Sequence, residues 1–192
     1  VAAALSPAPA SAPTDAPDPE PTGAPTPAPT AKQNIFLAGL DDDFTRLLSV
    51  SADDPGVPAN GDSTSPSISA DGRYVAFVSD ATNLVDDIPT GHSDVYVAED
   101  MGDSVQMTRV ALPDLGGTVV GVSSPALNGD GDEVAFVADV NTSAGTVPRI
   151  VFTNPWGRDE PIEVGNFTAN DEVDDVRISA DGWTLAYEYT TY

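Results

Sequence analysis

The chain has no cysteine. No disulfide framework and no thiolate site can exist, and the redox compartment is left open. Histidine is nearly absent too: His92 stands alone, so any serine triad or histidine general base must use it. Basic residues are scarce. Seven lysines and arginines face 31 aspartates and glutamates, a net charge of −24, and Lys32 is the only lysine. Duplex DNA or RNA would be repelled, because phosphate binding needs lysine and arginine. An anionic membrane surface is disfavoured for the same reason. No apolar run approaches the roughly 20 residues of a membrane span. There is no Gly-x-Ser-x-Gly elbow and no glycine-rich phosphate loop with a lysine. What remains is an acidic chain of 192 residues, enough for one medium domain. Its acid-rich, lysine-poor surface suits either a plain acidic secreted protein or one from a high-salt environment.

Proline is concentrated at one end. Residues 1–30 hold nine of the 18 prolines and nine alanines, with no aromatic residue. Proline fixes φ and removes a donor, so neither ladder nor helix forms there. Residues 1–32 read as a disordered Pro/Ala/Thr-rich linker of polyproline character. Val1-Ala2-Ala3-Ala4-Leu5 resembles the end of an export signal, with residues 1–10 as its remnant.

Order is expected over 33–192, and a repeat governs it. Ser65-Pro66-Ser67-Ile68-Ser69-Ala70-Asp71-Gly72-Arg73-Tyr74-Val75-Ala76-Phe77 reads as strand, tight turn and strand. Asp71-Gly72 makes the turn, since both residues tolerate positive φ. The unit returns with Asp130-Gly131 and again with Asp181-Gly182, at steps of 59 and 51 residues. Those steps slightly exceed the roughly 40–50 residues of a propeller blade, and loop insertions cover the excess. A second hairpin also recurs: 34–50, then Asp94–Ala98 with Gln106–Val110, then Arg149–Thr153 with Pro161–Val164. Each full repeat therefore has four strands. The spacing predicts an outer hairpin at 34–50, blades at 65–111 and 122–165, and an inner hairpin at 176–189, with no helix longer than about two turns. The innermost strand, Pro66–Ser69, would lie near a crowded axis and use small side chains. The run Val75-Ala76-Phe77 would be sandwiched between neighbouring blades, with Val134-Ala135-Phe136 and Leu185-Ala186-Tyr187 as equivalents.

The pattern Ser-x-Ser-x-Asp-Gly-x-x-Val-Ala-Phe-x-Ser, followed by Ala81-Thr82-Asn83-Leu84-Val85, Asp94-Val95-Tyr96-Val97 and Thr108-Arg109-Val110, resembles the TolB-like β-propeller repeat family. The resemblance covers about 34–192. The second repeat departs from it: Gly129 replaces Ala70, and Arg149 stands where Asp94 stood. The third contains two strands. The resemblance implies an all-β partial propeller of four-stranded antiparallel blades at an extracellular, cell-surface or periplasmic location. It implies a binding or scaffold role, with a protein or small ligand at the propeller face; the lone histidine without a nucleophile signature beside it leads to the expectation of no enzyme activity. One alternative is the propeller portion of a larger secreted hydrolase of prolyl-oligopeptidase type, with its catalytic domain outside this chain. A calcium-dependent surface module is another.

Carboxylates are plentiful in loops, where hard cations seek oxygens. Asp86 and Asp87, with Asp130 and Asp132, are the candidate calcium ligands, against a solvated acidic surface. His92, in Pro89-Thr90-Gly91-His92-Ser93, reads as an exposed loop residue. Trp156 and Trp183 are read as packing over blade edges. Asn141-Thr142-Ser143 and Asn166-Phe167-Thr168 match the glycosylation pattern by chance. Finally, twelve strands make three blades' worth, whereas closed propellers typically have about four to eight. Either the chain is a fragment of a six- to eight-bladed protein, or two copies associate to complete six blades.

Overall fold

The computed structural model describes residues 31–40, 44–86 and 91–192. The linker over 1–30 with its signal remnant, the Asp41-Asp42-Asp43 turn and Asp87 lie outside these residues. Among the described residues there is no helix and there are twelve strands: β1 (Phe36–Ala38), β2 (Thr45–Leu47), β3 (Ser63–Ile68), β4 (Tyr74–Ser79), β5 (Asp94–Asp100), β6 (Val105–Arg109), β7 (Thr118–Leu127), β8 (Val134–Thr142), β9 (Gly145–Thr153), β10 (Ile162–Val164), β11 (Asp171–Ile178) and β12 (Leu185–Thr191). All pairings are antiparallel. They form sheet I (β1–β2), sheet II (β3–β4–β5–β6), sheet III (β7–β8–β9–β10) and sheet IV (β11–β12). The two-four-four-two strand count expected from the repeat is the one observed.

The sheets bury their faces against each other in chain order. Ile35, Leu37 and Leu48 of the sheet I hairpin meet Val75, Phe77 and Tyr96 of sheet II. Ala76, Val78, Val95 and Val97 on the other face of sheet II meet Val134, Phe136 and Val151 of sheet III. The far face of sheet III, with Ala135, Val137 and Ile150, meets Val173 and Val176 of sheet IV. Sheet II is thus covered on both faces, and sheet III on one face and over the inner part of the other. This is why Val75 to Ser79 is buried without alternation, as a sheet packed on both sides requires. Burying a side chain such as Phe77 or Phe136, both fully inaccessible, stabilises by about 1.5–3 kcal/mol.

The turns carry the register. Gly72, Gly131 and Gly182 have φ of 76°, 75° and 77°. The aspartates before them do not share this; glycine alone takes the left-handed conformation in each turn. Each turn is four residues long, closed by Gly72 N–H to the Ser69 carbonyl at 3.1 Å, Gly131 to Asn128 at 3.3 Å and Gly182 to Ser179 at 2.9 Å. The Ser69 hydroxyl donates to Asp71 at 2.6 Å and accepts from the Tyr74 N–H at 3.0 Å. Ser179 does the same for Asp181 and Thr184. In the middle turn Asn128 takes both roles: it accepts from the Glu133 N–H at 3.1 Å and donates to Asp132, not Asp130, at 2.7 Å.

Neighbouring turns are also bonded to each other. The Ala70 N–H donates to the Gly129 carbonyl, and the Gly129 N–H donates to the Ala180 carbonyl, both at 2.8 Å. Gly129 departs from the alanine of the other repeats for a steric reason. A Cβ there would lie 2.9 Å from the Ala180 oxygen.

Two features differ from the sequence expectation. The inner strands begin earlier and carry bulges, between Thr64 and Ser67 and between Ser123 and Ala126. Ser65 and Ser124 sit in these bulges at φ of 54° and 51°, and each precedes a proline, a setting that favours extended backbone. The inner strands are also unequally buried. Ile68 of β3 is 54% exposed, whereas Ala126 and Leu127 of β7 are buried. Strand β7 packs against both β3 and β11.

Candidate functional site

A groove of about 870 Å³ lies between sheets III and IV. Its cause is the strand count. In sheets II and III the second strand is followed by a third and a fourth, which cover the neighbouring sheet. Among the described residues sheet IV has two strands, β11 and β12, and the outer half of sheet III is uncovered. Phe152, Ile162 and Val164 of β9 and β10 form one wall, and Leu185 and Tyr187 of β12 the other. Ile162 is 55% exposed and Tyr187 45%. Acidic groups rim the turn end: Asp130, Asp132, Glu133, Asp159, Glu160 and Asp181.

The calcium candidates separate. Asp130 and Asp132 are on the groove rim, where Asp132 is engaged by Asn128. Asp86 lines a different cleft, beside Val50 and Met107, and Asp87 lies outside the described residues. Among the described residues, no group of three or more carboxylates or histidines is placed to hold a metal. The structural turn residues Asp71, Gly72, Asp130, Gly131, Asp181 and Gly182 occupy the three bonded turns, and Asp130, Asp181 and Gly182 border the groove.

The aromatic expectations divide. Trp156 packs edge-on against Tyr74, with ring centroids 5.3 Å apart, and Arg158 lies over its face. Trp183 does not pack over an edge: it is 89% exposed at the mouth of the groove. Sheet IV supplies no further strand for its ring to lie on. His92 also differs from expectation. Its side chain is 14% exposed, held 3.6 Å from the Asp94 carboxylate. Asp94 is buried and also lies 3.6 Å from Arg109, and the His92 ring nitrogen Nδ1 is 2.9 Å from the Ser93 carbonyl oxygen. Of the glycosylation-pattern residues, Asn141 is an exposed position of β8 and Asn166 an exposed loop position.

The carboxylates respond to pH in two opposed ways. Burial, then the neighbouring Asp132 and Asp159, push the Glu133 carboxyl up. Burial, then Glu172, push Asp139 up. In contrast, the Ser69 hydroxyl and the Arg73 N–H hold Asp71 below the usual range, and the Ser179 hydroxyl and Trp183 N–H do so for Asp181. A raised acid destabilises the fold while ionised, and this cost is relieved by protonation. A depressed acid stabilises the fold above its unfolded value, and that gain is lost on acidification. Melting temperature is therefore expected to rise as pH falls from 7 toward the ordinary glutamate value of 4.5. It should fall again below the ordinary aspartate value of 3.8 as the turns release. A pH series of thermal melts checks this; a monotonic decline from pH 7 would contradict it. Glu133→Gln should flatten the first rise.

No protein-family model matches the chain, and no curated protein matches it. The acidic rim was visible in the sequence. The apolar walls were not, although one signal existed: Tyr187 stands where Phe77 stands in a complete repeat.

Proposed function

We propose that the protein is an extracytoplasmic binding or scaffold module of the TolB-like propeller kind. Its groove between sheets III and IV receives an extended segment of a protein partner. The observation that carries this reading is the coincidence of an unpaired β12 edge with an adjacent apolar groove. A free edge offers main-chain donors and acceptors, and alternate side chains of an added strand find pockets beside it. Sheets II and III support the propeller assignment, since each has four antiparallel strands and each packs against a neighbouring sheet on either side. The repeat resemblance supports the extracytoplasmic location. A groove with walls such as Phe152 and Tyr187 suits binding, because buried apolar area supplies most of the affinity.

Selection of phage-displayed peptides on the immobilised full chain tests this. Enriched peptides should alternate apolar and polar residues and slow amide exchange along β12. Binding should be lost in Tyr187→Asp and Leu185→Asp. Peptides that bind these two variants unchanged, or protection confined to other strands, would overturn the reading.

A further inference from the structure

We infer that the occupant of the groove is the β1–β2 hairpin of a second copy of this chain. The proposal rests on the strand-addition reading above and names its partner. Sheets II and III define what a complete sheet contains, and sheets IV and I are its two halves. The β11–β12 pair corresponds to β3–β4: Leu185 pairs with Ile178 as Val75 pairs with Ile68. The β1–β2 pair corresponds to β5–β6. Leu48 N–H bonds the Ile35 carbonyl at 2.8 Å as Val110 N–H bonds Val95 at 2.9 Å. Phe36 pairs with Leu47 as Tyr96 pairs with Arg109.

These equivalences set the docking register. In sheet II, Phe77 pairs with Tyr96; the rings stack with centroids 6.0 Å apart, and both residues are fully buried. Their counterparts are Tyr187 and Phe36. Tyr187 is 45% exposed and Phe36 61%. Each chain thus exposes one half of an aromatic pair at each end. With β12 of one copy beside β1 of the other, Tyr187 falls opposite Phe36 and Leu185 opposite Ala38.

The faces agree as well. Phe77 and Tyr96 point toward the preceding sheet. Tyr187 likewise lines the groove with Phe152 of sheet III, and Phe167 of the loop between β10 and β11 lies 5.8 Å from its ring. Phe36 of the second copy would then enter the groove against Phe152 and Ile162. Ile35 and Leu37 alternate to the opposite face, where they already lie on their own sheet II. The hairpin therefore docks without leaving its own core. Reciprocal docking closes a two-fold assembly with six four-stranded sheets and no free β12 edge. Charge opposes it, since each copy carries −24, so salt should favour association.

The chain's lack of cysteine makes the test direct. Sedimentation of the full chain should give twice the 19.7 kDa mass, with association strengthening from low to molar salt. Phe36→Asp and Tyr187→Asp should each weaken association more than about tenfold while leaving the melting temperature of the dilute chain nearly unchanged. Phe36→Cys chains mixed with Tyr187→Cys chains should oxidise to a mixed disulfide. A chain that stays monomeric at both salts overturns the proposal, and so does a dimer that ignores both aspartate variants and gives no mixed disulfide. The two readings remain separable. Monomeric chains whose β12 is still protected by selected peptides refute the second copy and keep the strand-addition reading. Failure of both experiments removes both.

Discussion

Gly131→Ala is expected to cost about 3 kcal/mol, while Gly72→Ala costs about 1 kcal/mol, although the two glycines have the same backbone conformation. At φ near 75° an L-residue loses about 1–2 kcal/mol to left-handed strain. Gly72 meets nothing else, since no atom lies within 4 Å of its notional Cβ. Gly131 is different. A Cβ there would lie 2.7 Å from Tyr74 Cγ and 2.8 Å from Tyr74 Cβ. Relief requires Tyr74 to move, and Tyr74 is held edge-on by Trp156. Overpacking of this kind adds about 1–3 kcal/mol. Gly182→Ala falls between the two, its nearest neighbour being the Asn128 amide nitrogen at 3.2 Å. Urea unfolding of the three variants measures the order. Equal costs would mean that strain alone decides and that the turn of sheet III does not press on Tyr74.

Phe136→Ala should be the most damaging single truncation, at about 3–5 kcal/mol. Phe136 is fully buried between sheets II and III, in contact range of residues from both. Both sheets are held in place on their far faces, so the cavity cannot readily collapse. The counterpart in sheet IV, Tyr187, is 45% exposed. Tyr187→Ala in dilute, low-salt solution should therefore cost less than about 1.5 kcal/mol, because only part of the ring leaves apolar contact. With total stability of a domain at about 5–15 kcal/mol, the first variant should melt many degrees lower and the second only slightly. Similar losses in the two would show that burial does not differ between the repeats in solution.

The contrast between Phe136 and Tyr187 marks where the sequence was legible. The runs Val75–Val78 and Val134–Val137 announce strands buried on both faces, because apolar side chains without alternation have no solvent side. The three Gly-centred turns announce their hairpins because only glycine takes φ near 75° at little cost. The exposed rings were not legible. Trp183 was expected to pack and Phe36 gave no signal, since neither residue type reveals whether a neighbouring sheet reaches it. His92 was read from its polar loop, but its side chain lies beside the buried Asp94 at the start of β5. Gly129 looked like a drift from alanine. It is a steric requirement set by the Ala180 carbonyl of the next turn, 51 residues away.

By itself, then, the sequence determined the all-β class, the repeat, the order of twelve strands and the acidity, because each follows from residues close together in the chain: alternation, turn chemistry and charge. The tertiary structure decided which faces are covered. It decided that Ala126 and Leu127 at the end of β7 are buried while Ile68 of β3 is exposed, that sheet III keeps an open apolar wall, and that Phe36 and Tyr187 are partly exposed. Burial depends on contacts between sheets whose strands lie tens of residues apart, and no local pattern records whether that neighbour is present.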